Sequence, residues 1–191
     1  MAYQTYITEA LVCGSWHRNT ADKSILLFAR EAGMVYVHAK SIREERSKQR
    51  YALQDASHVR VTLIRGKTGW KVAGAEMIQS FYAESSTRES RAFLRNIILL
   101  LRRVMQGEVA HQHIFDDVIQ VMQEGMELPQ KQLEAVLSLR ILESLGYVAR
   151  DEEYTSLLAP TFPFSDVQNL SDALFARCLK TIEHGLIQSQ L

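Results

Sequence analysis

Hydrophobic residues change their spacing once along this chain, near residue 80. Before that point they alternate. In Met34 to Lys40, Val35, Val37 and Ala39 share one face while Tyr36, His38 and Lys40 share the other, the two-residue period of a strand. His58 to Arg65 alternates likewise, which predicts Val59, Val61 and Leu63 inward and Arg60 and Thr62 outward. Gly66-Lys67-Thr68-Gly69 supplies a turn, and Trp70 to Met77 is expected to return antiparallel. Tyr6 to Cys13 predicts an opening strand, followed by a polar connection over Trp16 to Asp22. Ser24 to Arg30 is apolar almost throughout; its length and the turn at Glu31-Ala32-Gly33 favour a strand in a hairpin. Ser41 to Tyr51 has no apolar period and reads as a loop. About five short strands in this stretch predict a small closed or partly open barrel.

The spacing then becomes helical. Ser86-Thr87-Arg88-Glu89 has capping-box spacing and predicts a helix to about Met105. Ala110 to Glu124 carries Ile114, Phe115, Val118, Ile119 and Met122 on one stripe. Pro129 to Leu145 is expected to bury Leu133, Val136, Leu137 and Ile141 and to end at Gly146 as a C-cap. Asp151 to Phe164 is irregular, and a last helix starts at Ser165 or Ser171 and runs to about Ile187. The expected fold class is α+β in two domains, a β-barrel over residues 1–80 and an all-helical domain over residues 81–191.

Charge follows the same division. Residues 1–80 hold 12 Lys and Arg against 7 Asp and Glu, and residues 81–191 hold 10 against 15, so a formal net charge of zero hides a basic half and an acidic half. Such asymmetry points to a polyanionic partner for the first half. Apolar residues make up 47% and charged residues 23%, the balance of a globular protein. Apolar runs such as Ile97 to Leu101 are far short of the roughly 20 residues that span a bilayer, and residues 1–5 lack the start of a secretory signal. No membrane association is expected. Cys13 and Cys178 are the two cysteines, with no CxxC pair, so a reducing cytoplasm is expected and a structural zinc site is not.

Lys40, Arg43, Arg46, Lys48 and Arg50 place five cations within eleven positions of the predicted loop. Flexible cations there can neutralise phosphates and release their counterions. Arg60, Arg65, Lys67 and Lys71 would join them if the barrel closes, and Tyr36, Tyr51 and Trp70 are candidate platforms on which unpaired bases can stack, with barrel core or rim packing the favoured reading for Tyr36 and Trp70. A plain solvated loop, with Glu44 and Glu45 cancelling part of the charge, is the competing account. Arg88, Arg91, Arg95 and Arg102 form a stripe on the first long helix, suited to an acidic partner segment or simply to water. Enzyme signals fail. Gly66-Lys67-Thr68 resembles the end of a phosphate loop, but that motif needs glycine where Val61 stands and a helix where a strand follows. His113 and Asp117 converge at most as a pair, and Ser15 and Ser47 have no nucleophile setting. No catalytic residue, metal or cofactor is expected.

The order of the segments carries a resemblance. Glu9-Ala10-Leu11-Val12, then Asp22 through Gly33, a strand into Ala39-Lys40, the basic loop, Tyr51-Ala52-Leu53-Gln54 and a hairpin ending Ala75-Glu76 resemble the N-terminal OB-fold domain of the bacterial recombination mediator family RecO. Leu137 to Tyr147 is similar to the helix closing in LLxxLGY in that family's helical domain. The resemblance covers most of residues 5–150. It implies a non-enzymatic DNA-binding protein of recombinational repair, cytoplasmic and nucleoid-associated. Such a protein would bind single- and double-stranded DNA, anneal strands, contact RecR and the acidic tail of single-stranded-DNA-binding protein, and help load RecA. The family's basic positions carry over onto Lys40, Arg43 and Lys48. Ser41 stands where the family has glycine, and the four zinc-binding cysteines of many members are missing. A protein adaptor acting through the helical half and an RNA-binding barrel are the alternative readings.

Overall fold

Alternation in the first half becomes a closed barrel. The computed structural model describes residues 5–44, 47, 49–67 and 69–189. Strands β1 (Thr5–His17), β2 (Lys23–Ala29), β3 (Gly33–Ala39), β4 (Ser57–Gly66) and β5 (Gly69–Ser80) close in the order β1-β2-β3-β5-β4. All pairs are antiparallel except β3 with β5, which run parallel at Val37 and His38 against Trp70 and Lys71. This is an OB-type barrel, and with the helices that follow the chain is α+β, as the pattern predicts.

Val35, Val37 and Ala39 face the interior with Val59, Val61 and Leu63, as their alternation requires. The segment expected to be a loop after β3 contains a short helix, α1 (Gln49–Ala52), whose Ala52 joins Leu53 and Ile42 in the same core. Its apolar residues are too few and too widely spaced to show a period. β2 hides its alternation for a different reason: both of its faces are buried. Ile25 and Leu27 point inward, while Leu26 and Phe28 point outward yet are 3% and 0% exposed. Phe28 belongs to an outer row in which register aligns His58, Leu11, Phe28 and Met34. Phe115 packs on Phe28 at 5.6 Å and on His58 at 6.0 Å, and Phe81 stacks on His58 at 6.4 Å.

Residues Met105–Phe115 thus belong to the barrel's compact unit, together with Met1–Glu84. Gly33 is required for this. Its φ is +69°, and a Cβ there would lie 2.1 Å from the Val109 carbonyl oxygen, while the neighbouring Met34 N–H donates to the Gly107 carbonyl at 3.1 Å.

The second compact unit comprises Ser85–Val104 and Asp116–Leu191. Helix α2 (Phe81–Glu84) precedes it in the chain; then come α3 (Arg88–Val104), α4 (Gln112–Glu124), α5 (Gln130–Ser144), α6 (Phe164–Gln168) and α7 (Asp172–Gln188). Thr87, one residue past Ser86, caps α3 by accepting from the Ser90 N–H at 3.0 Å. Gly146 at φ +79° ends α5 as expected, with the Tyr147 N–H donating to the Leu142 carbonyl. Every residue from Ala135 to Leu142 is buried, so α5 is the central helix of its unit. Arg140 among them pairs with Asp117 at 2.8 Å and donates to the Leu157 and Ala159 carbonyls at 2.9 and 2.8 Å. Those bonds satisfy a buried charge and pin the irregular segment before α6. Among the described residues no helix is long and apolar enough to cross a membrane.

Candidate nucleic-acid interface

Strand register assembles a surface that no single segment contains. A β-bulge between Val12 and Gly14 lets β1 continue to His17, which converts the expected connection at Trp16 into strand. From there one outward row crosses four strands: Trp16 opposite Ser24, Ser24 opposite His38, and His38 beside Lys71. Tyr36 stands in the adjacent row, opposite Leu26, which is itself opposite Gly14. With no side chain at Gly14 and Leu26 buried, the Trp16 and Tyr36 rings approach to 6.0 Å at 39°. They remain 39% and 65% exposed. Two aromatic faces therefore lie side by side in water.

Cations lie on the strands and loops that flank this pair. The Arg18 guanidinium lies against the His38 ring, its Nη1 2.6 Å from Nδ1. Lys40 follows directly after the end of β3, and Lys71 neighbours His38 on β5. Two loops are stitched together to hold the set. Asn19 accepts from the Ala21 and Asp22 N–H groups at 3.0 and 2.7 Å. Asp22 accepts from the Ser41 N–H at 2.8 Å, and the Arg43 N–H donates to the Ala21 carbonyl at 3.1 Å. Ser41 takes φ +51°, the left-handed conformation that favours glycine. The Ser41 N–H, then the Asn19 amide, lowers the Asp22 pKa, and Lys40 and Arg18 lower it further. His38 is also pushed below its ordinary value, first by burial and then by Arg18 and Lys71, against a smaller opposing effect of Asp22. Among the described residues Arg18, Lys40, Arg43 and Lys71 form no ion pair with a carboxylate.

The remaining expected cations are placed elsewhere. Arg60 lies on β4 between Glu9 and Glu76, and its Nη2 pairs with Glu9 at 3.3 Å. Arg65 pairs with Glu108 at 3.2 Å and sits over the Trp70 ring at 5.1 Å. Arg50 donates to the Tyr51 hydroxyl at 2.7 Å and covers that ring. Trp70 lines the barrel interior and is 6% exposed, so no base can reach it. Lys67 is exposed on the β4–β5 turn. Arg46 and Lys48 lie outside the described residues. In the helical unit Arg88, Arg91, Arg95 and Arg102 are all exposed along α3, with Arg91 Nε donating to the Ser85 carbonyl at 3.0 Å. Trp16, Arg18 and His38 were not identified from sequence. His38 alone carried a readable signal, its place between Tyr36 and Lys40 on the outward face.

The chain is 28% identical over 163 residues to the DNA repair protein RecO of Dehalococcoides mccartyi, an alignment covering 83% of this chain and 64% of that protein. It is 27% identical over 146 residues to the DNA repair protein RecO of Heliobacterium modesticaldum, covering 74% of this chain and 52% of that protein. The chain thus spans between half and two thirds of the length of these curated relatives. No family model matches it.

Proposed function

We propose that this protein is a non-enzymatic DNA-binding protein of recombinational repair, acting as the RecO proteins it resembles. The observation that carries the reading is the exposed Trp16–Tyr36 pair flanked by Arg18, Lys40, Arg43 and Lys71 on the β2–β3 side of an OB-type barrel. Barrels of this type take oligonucleotides on that side and on the loops flanking it. Phosphates would lie against the cations and displace counterions, while unpaired bases stack on the two rings. Arg46 and Lys48 would extend the cation track from the basic loop, and Lys67 from the β4–β5 turn. Holding two strands on such a surface offsets their mutual repulsion, which is what annealing requires.

By the same resemblance the division of labour runs near residue 80. The first part binds single- and double-stranded DNA, and the helical part presents Arg88, Arg91, Arg95 and Arg102 to an acidic partner such as the tail of single-stranded-DNA-binding protein. RecR and RecA loading follow from the family, and a cytoplasmic location with them. The reading is tested by titrating a single-stranded oligonucleotide at several salt concentrations. Engagement of about four phosphates predicts a log–log slope near −3. Absence of binding, or affinity indifferent to salt, contradicts the proposal; a matched RNA that competes better than DNA would assign the surface to RNA.

A further inference from the structure

We infer that His38 is a proton-coupled phosphate contact: a nucleic-acid phosphate seated among Arg18, His38 and Lys71 draws one proton onto the imidazole, so that binding tightens as the pH falls below neutral. The inference rests on the proposed nucleic-acid reading of this face and adds its regulation. Four elements meet at the ring. From the β1–β2 loop, Arg18 places Nη1 2.6 Å from Nδ1 and 2.5 Å from Nε2, and Asp22 acts on the ring more weakly. From β2, the Ser24 Oγ lies 3.5 Å from Nδ1. From β5, Lys71 is the strand neighbour of His38, and Lys40 follows one residue past the end of β3.

The Arg18 guanidinium lies against both ring nitrogens, with Lys71 on the neighbouring strand, so a further positive charge on the ring is disfavoured and the imidazole is held neutral. Burial and the two flanking cations keep it so, by holding its proton affinity below the ordinary histidine value against the weaker pull of Asp22. A phosphate in the same space changes each of these conditions. Arg18 and Lys71 turn to the phosphate oxygens, the ring is relieved of the cation lying against it, and the local field changes sign. Protonated His38 then donates a charge-assisted hydrogen bond to the anion.

The sign follows from linkage. The pKa is higher in the complex than in the free protein, so the added affinity is complete below the free value, itself under about 6.5, and is lost as pH rises through the complexed value. Between those limits log K rises by up to about one unit for each unit of pH decrease.

The test is titration of a fluorescently labelled thymidine oligonucleotide at fixed salt between pH 5.5 and 8, with far-UV circular dichroism confirming that the fold persists throughout. The wild type is expected to bind several-fold tighter at the acidic end. Calorimetry in buffers of different ionisation enthalpy should report uptake of up to one proton, and the His38 ring resonances should titrate at higher pH in the complex. His38→Gln should lose the pH dependence, whereas His17→Gln, one residue before Arg18, should keep it. Binding that is indifferent to pH, or a slope unchanged in His38→Gln, overturns this inference and leaves the nucleic-acid reading standing. Failure to bind at any pH removes both.

Discussion

One barrel carries two sides of opposite electrostatic design. On the β2–β3 side, Arg18, Lys40, Arg43 and Lys71 share the face that carries the exposed aromatic rings; Asp22 feels Lys40 and Arg18, but among the described residues none of the four forms an ion pair with a carboxylate. On the β1–β4 side, Glu9 pairs with Arg60 and shares a hydrogen bond with the neutral His58 ring, and Arg30 pairs with Glu31; Glu9, Arg60, Arg30 and Glu31 line a shallow pocket of about 290 Å³. Each side has cations, so counting them does not separate the two. Pairing does: a cation already matched to a carboxylate has little to gain from a phosphate, and an unmatched one keeps its counterions to release. The surplus positive charge of the first eighty residues is therefore concentrated by its partners more than by its own positions.

The largest effect that sharpens this contrast comes from removing unmatched charge. The Arg18→Ala, Lys40→Ala, Lys71→Ala triple variant should make the salt slope for single strands less negative by about 2 and cost more than about 100-fold in affinity near 50 mM salt. Anisotropy of a labelled oligonucleotide reads both quantities. Tyr36→Ala should weaken binding by about 1–3 kcal/mol per base stacked and leave the salt slope alone, because stacking releases no counterions.

The paired side responds to pH through folding instead. His58 is 4% exposed between Phe81 and Phe115, and burial holds its pKa below the ordinary value despite the pull of Glu9. The unfolded chain therefore binds the extra proton near pH 6. The stability tied to neutral His58 is complete above about 6.5 and is lost, at up to about 1.4 kcal/mol per pH unit, as pH falls toward the lowered folded value. Chemical unfolding at pH 7.5 and 5.5 measures this, and His58→Gln should flatten the difference. The smallest effect is expected for Arg60→Ala, whose exposed pair with Glu9 contributes about 0.5 kcal/mol to stability and whose loss should change oligonucleotide affinity less than about twofold. A large loss of binding in that variant would break the contrast.

Much of the barrel was legible because single-strand alternation encodes it. β3 and β4 were readable residue by residue, and with them the outward placement of Tyr36 and Lys40. The surface was less so, because it depends on register between strands that sequence spacing does not carry. Trp16 was hidden by the bulge after Val12, which breaks the alternation just where the strand continues. Arg18 reaches His38 across 20 residues, and Arg60 finds Glu9 across 51. No local pattern distinguishes the cation that will be neutralised from the one that will not. For Trp70 the alternation fits either side of the barrel wall, with core or rim packing the favoured reading, and the parallel pairing with β3 turns the ring inward. In the helical half, the capping and the stripe on α4 follow from sequence. The buried Arg140 does not, since nothing near it in the chain announces Asp117 as its partner.

Tryptophan emission tests the placement of the interface most directly. The chain has two tryptophans, Trp16 on the exposed β2–β3 side and Trp70 inside the barrel. Addition of a single-stranded oligonucleotide should quench the emission with the same midpoint as binding seen by anisotropy, and Trp16→Phe should abolish the quenching. Binding that leaves the emission of the wild type unchanged, or quenching that persists in Trp16→Phe, would place the nucleic acid elsewhere and contradict the account.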